Sequence, residues 1–113
     1  MIIPILCNVK TEHSYFIDQI YGQEDYNGLF ISPRQKALNF RHRMSNPDYF
    51  SDWHVAGDPA LIIIRSGVIR IGLRDGNYRD FGAGDVFIAQ DKLVDNTGFD
   101  NSIHGHTAQV IGD

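Results

Sequence analysis

The chain has 113 residues, 42% of them apolar and 21% charged, the composition of one globular domain with enough chain to bury a core. Fourteen Asp and Glu against ten Lys and Arg leave a formal net charge of −4, which argues against a general nucleic-acid binder or a protein of anionic membrane surfaces. No apolar run approaches the roughly 20 residues of a membrane-spanning helix.

The chain opens on an apolar stretch, residues 1–9, read as an extended arm. It is too short for a secretory leader and lacks the basic residues that precede one, so a cytoplasmic location is expected. Such an apolar strand would be a poor free edge, and pairing with a second copy in a homodimer is expected to cover it. The lone cysteine, Cys7, excludes an intrachain disulfide and reads as a packing residue. Residues 13–21 fit a short helix and an extended segment about equally well. Asn27-Gly28 marks a turn, residues 29–31 a short strand, and Ser32-Pro33 its end. Leu38, Phe40, His42 and Met44 alternate with polar residues, the pattern of a half-buried strand. Asn46-Pro47-Asp48 is a further turn signal.

The second half is more regular. Residues 61–64 are continuously apolar, as in a strand buried on both faces. Residues 68–74 alternate, with Ile69, Ile71 and Leu73 on one side and Arg70 and Arg74 on the other. Asp75-Gly76 predicts a type I′ hairpin turn, with residues 77–81 as the return strand. A turn at 82–85, a strand at 86–89, a polar loop at 90–105 and a last strand at 107–111 complete eight or nine strands. Short strands with turns every eight to twelve residues indicate an all-β sandwich or barrel.

Several of these pieces resemble the cupin superfamily, in particular its small single-domain members. They are Trp53-His54 ahead of the first core strand, the strand-Gly-strand element at 64–71, and Asp75-Gly76. They continue with the Gly-Asp turn at 81–86, Gln90-Asp91 and Gly105-His106-Thr107. Residues 12–16 are similar to an element near the start of such proteins. The resemblance implies a double-stranded β-helix, a cupin jelly-roll barrel with an N-terminal extended arm. Residues 1–50 would form the arm and first strands, and 51–113 the core. It also implies a metal site of three His and one Glu, but only His54 and His106 stand at ligand positions here. Ala56 and Ala60 occupy the other two. The expectation is therefore no cofactor, with one divalent metal at His54 and His106 as the alternative. A catalytic metal site takes about three protein ligands.

The candidate site is thus His54, His106 and Asp91, with Asp91 either orienting a histidine or acting as a base. His42, on the apolar side of its expected strand, is a third polar candidate; a hydrogen-bonded core histidine is its alternative reading. Phe40, Tyr49 and Trp53 are expected to line a pocket, with simple packing as the alternative for the aromatic cluster 49–53. His104 lies two residues from His106 and is assigned to the loop. Arg41, Arg43, Arg65, Arg70, Arg74 and Arg79 suit either an anion pocket or, more simply, a solvated outer face. No nucleophile constellation and no phosphate-cradling glycine loop is present. Three function classes follow: a small-molecule-binding cupin, acting as a metal-independent isomerase, cyclase or lyase; a metal-dependent, dioxygenase-like cupin enzyme; and a non-catalytic ligand sensor.

Overall fold

The computed structural model describes residues 1–37, 40–94 and 97–112. Among them are ten strands and no helix. The open alternative at 13–21 resolves to a strand. β1 (Ile2–Cys7) and β2 (Tyr15–Ile20) pair antiparallel along their full length, Ile2 opposite Ile20 and Cys7 opposite Tyr15. β1 also pairs, in parallel, with β9 (Val86–Ala89). β9 in turn pairs antiparallel with β6 (Ala60–Ile63). The first sheet therefore runs β2-β1-β9-β6. The second runs β5-β10-β7-β8, from β5 (Phe50–His54), β7 (Val68–Gly72), β8 (Tyr78–Phe81) and β10 (His106–Gly112).

Both sheets contribute to one core. Leu6, Phe87 and Ala89 come from the first, and Ile71, Phe81 and Ala108 from the second. The Phe81 and Phe87 rings stack across the gap with centroids 4.2 Å apart, and Phe16 closes on both at 5.7 and 6.4 Å. Aromatic pairs at such separations add to the free energy of burial itself. The two sheets do not close into a barrel.

The expected arm is not an arm. β1 is an interior strand, with β2 on one side and β9 on the other, so its backbone is already paired within the chain. The segment that does stand away lies later. A small hairpin, β3 (Glu24–Tyr26) with β4 (Leu29–Ile31), forms a separate two-stranded sheet whose residues are all exposed. The strand expected through Phe40, His42 and Met44 is absent from residues 40–44, and Leu38 lies outside the described residues. Phe40 is 87% exposed, and its ring meets that of the neighbouring His42 edge-on at 5.9 Å. Alternation by itself does not make a strand where no partner strand is within reach. The radius of gyration of 15.3 Å exceeds the roughly 13 Å of a compact domain of this length, as projecting segments require.

The two hairpin signals differ in outcome. At Asn27-Gly28 both residues have positive φ, 53° and 93°, the type I′ geometry. At Asp75-Gly76 only Gly76 is left-handed, at 88°. Its N–H donates to the Leu73 carbonyl at 3.1 Å, so Arg74 and Asp75 are the turn residues and Gly76 the left-handed residue that follows. The hairpin is where the sequence put it, but its turn is one residue longer, because the Asp75 carboxylate is engaged by the Asn77 backbone and side chain. The apolar run at 61–64 forms β6, an edge strand, and Leu61 and Ile63 face outward.

Candidate functional site

Asp91 follows β9 at the end of the first sheet and is wholly buried. A carboxylate in that position must have its lone pairs engaged by donors. Its Oδ2 accepts from the Ser14 hydroxyl at 2.7 Å and lies 2.6 Å from His106 Nδ1. Its Oδ1 accepts the Ala56 backbone N–H at 2.9 Å, and its carbonyl accepts the Gly57 N–H at 3.0 Å. Burial is the largest single influence on its ionisation and opposes it. The hydrogen bond and charge of His106, with the bonds from Ser14 and Ala56, together outweigh burial and hold the carboxyl below the usual aspartate range.

His106 opens β10 and is buried; His54 closes β5 and is half-buried. The two are cross-strand partners, and their ring centroids are 4.5 Å apart. Gly105 makes this approach possible. It has φ +88°, and a Cβ there would fall on the His54 backbone. The tautomers follow from the partners. A carboxylate only accepts, so His106 Nδ1 donates to Asp91 and Nε2 carries the lone pair. His54 Nδ1 likewise donates to the Asp52 carbonyl at 2.6 Å, with Ser51 Oγ at 3.2 Å, leaving its Nε2 as the acceptor. The arrangement is two adjacent imidazoles, one hydrogen-bonded to a buried carboxylate. The Ser14 hydroxyl is committed to the same carboxylate and offers no free nucleophile beside the pair.

The other expected site residues lie differently. Tyr49 packs against the core, and Phe40 and His42 are exposed on the unpaired segment, so neither of the latter two joins the histidine pair. The Arg74 guanidinium lies over the Trp53 ring, 3.7 Å from the centroid. Arg74 also donates to the carbonyls of Asn101 and His104 at 2.6 and 2.8 Å, clamping the 101–104 loop beside β5. Arg74 is thus a structural residue that its place in the alternating pattern did not single out. Arg70 does belong to an outer face, paired with Asp80 at 2.8 Å and stacked on Tyr78. His104 is in the loop, as expected, yet buried; its Nδ1 accepts the Asp100 N–H at 2.9 Å.

Among the described residues, no three His, Cys, Asp or Glu side chains gather in a metal-binding arrangement. His106 Nδ1 is taken by Asp91, and neither alanine has a side chain that could ligate. The Ala56 N–H serves Asp91, while Ala60 is on β6 in the opposite sheet, paired with Ala89. The donors present therefore fall short of the three protein ligands of a catalytic centre. Two open clefts, of about 350 and 320 Å³, lie outside the histidine pair; the second runs between residues 8–12 and the loop carrying Lys92 and His104. Comparison of the chain with protein-family models, with curated proteins and with solved structures found no match.

Two outcomes test this geometry. Gly105→Ala is expected to lower stability by about 2 kcal/mol or more, because strain and the clash with His54 add. Urea unfolding checks it, and an unchanged midpoint would show that the close approach is not needed. The depressed Asp91 pKa makes a stability contribution that is complete above the ordinary value of about 3.9 and lost as pH falls through the lower folded-state value. Unfolding followed from about pH 5 downward is therefore expected to weaken more steeply in the wild type than in Asp91→Asn. Parallel curves would remove Asp91 from the acid response.

Proposed function

We propose that the chain is a small-molecule-binding protein of the cupin type that moves a proton on a small organic metabolite without a metal. The reaction is an isomerisation, cyclisation or elimination. The observation that carries this reading is the 2.6 Å bond between the buried Asp91 and His106, which leaves His106 Nε2 as a base supported by a fixed negative charge. His54, half-buried on the edge strand β5, is the second acid–base group and the side from which a ligand reaches the pair. The cupin assignment rests on the motif order and on two four-stranded sheets, the layout of an eight-stranded jelly roll. No helix among the described residues is long and apolar enough to cross a membrane. A cytoplasmic location belongs to the same proposal, supported by the single buried Cys7.

The test combines elemental mass spectrometry on protein purified without chelator with a thermal-shift screen of small organic metabolites. The expected result is a stabilising compound whose turnover survives EDTA and falls about a hundredfold or more in both His106→Gln and His54→Ala. Near-stoichiometric Fe, Mn, Ni or Zn, with activity lost in EDTA, would replace this reading by a metal-dependent enzyme at the same histidines. Binding without turnover of any stabilising compound would make the protein a ligand sensor.

A further inference from the structure

Three segments of the chain meet at the Asp91 carboxylate, and the same three wall the cleft of about 320 Å³. Ser14, Asp91 and His106 make the cluster; Glu12, Lys92 and His104, one or two residues away along the chain, line the cleft. Side chains fix the cleft's backbone. The Asn8 amide donates to the Lys92 carbonyl at 2.6 Å and accepts the Lys92 N–H at 3.1 Å. The Lys10 N–H donates to the Tyr15 hydroxyl at 2.9 Å. His104 is the buried member of the lining, 5% exposed. Its Nδ1 accepts the Asp100 N–H, so the neutral ring carries its proton on Nε2. Nε2 looks toward Glu12, another lining residue, whose carboxylate oxygen stands 3.9 Å away, too far for a hydrogen bond. The Nε2–H therefore has no acceptor among the described residues. A donor held out of bulk water without a partner costs free energy, which an occupant of the cleft would recover.

We propose that this cleft binds the anionic group of a small organic molecule, a carboxylate or a phosphate, through Lys10, Lys92 and the His104 Nε2–H. Neither lysine forms an ion pair with a described residue. Against the single Glu12 the two leave the cleft positive, in a chain whose net charge is −4. Ionised carboxylate and phosphate oxygens accept charge-assisted hydrogen bonds, which is what two ammonium groups and an imidazole N–H offer. A metal cation is the poorer occupant, because it would meet one carboxylate and two ammonium groups. Val9 and Val94 complete the lining and suit an anion carried on an apolar body. The site is separate from the histidine pair, and its occupation requires no turnover there.

Titration with inorganic phosphate, succinate and citrate tests the site, followed by proton–nitrogen NMR at constant ionic strength with chloride as the balancing anion. Saturating shifts are expected at the Lys10 and Lys92 amides and at His104 Nε2. Whether phosphate or the carboxylates saturate identifies the group. Lys10→Gln combined with Lys92→Gln is expected to raise the dissociation constant about tenfold or more. His104→Asn keeps an acceptor near the place of Nδ1 and removes Nε2, and is expected to raise it about fivefold. Glu12→Gln removes a like charge and is expected to lower it. Arg65→Gln, exposed and outside the cleft, is expected to leave it unchanged. Should His104→Asn fold poorly, the Nε2 signal of the wild type decides. No saturation by any of the three anions, saturation that survives loss of both lysines, an unmoved Nε2 signal, or weaker binding in Glu12→Gln would each overturn the proposal.

Discussion

The rest of the site depends on one buried carboxylate. Asp91 ends the β9 segment of the first sheet, yet its donors come from three other parts of the chain. They are Ser14 ahead of β2, Ala56 after β5, and His106 at the start of β10 in the second sheet. A carboxylate removed from water is tolerated only when such donors surround it, so each of the three is held where Asp91 needs it. The same requirement ties the ends of the two sheets together and decides the His106 tautomer. Packing of Phe16, Phe81 and Phe87 holds the middle of the sandwich without direction; the Asp91 cluster supplies direction at its end.

Around that pin the backbone is arranged to bring two rings together. Gly105 lets β10 pass against the His54 backbone, and the irregular register just beyond His106 sets the pairing of the next residues, Ala108 opposite Ser51. Arg74 performs a parallel task from β7's hairpin. Its guanidinium lies over the Trp53 ring and donates to two carbonyls of the loop that leads into β10. The geometry of the pair is thus set by side chains far apart in sequence.

Much of the architecture was legible in the residues. The strands of the second half stand close to their expected positions, because short apolar runs there are separated by turns with specific residue demands. Asn27-Gly28 forms the turn its composition requires. The joining of His54 and Asp91 to His106 was legible only through the resemblance of spaced motifs, and no property of those residues taken singly announced it. The failures share a cause. Phe40 and His42 alternate as a strand does, but alternation records what a strand would bury, not whether a neighbour exists. Residues 1–9 look like a free apolar arm, but strand order is invisible locally, and β1 lies between β2 and β9. Arg74 continues the polar side of an alternating segment and yet stacks on Trp53, because the strand ends at Gly72 and the turn redirects it.

By itself, then, the sequence determined the β character and the placement of most turns. These depend on side-chain type and on periods of two residues, both local properties. Only the tertiary structure decided that the sheets stay open, that β1 is interior, and that Ser14, Ala56 and His106 converge on Asp91. Those outcomes follow from which strands pair and in which register, and from the need to satisfy a buried charge with donors wherever in the chain they lie.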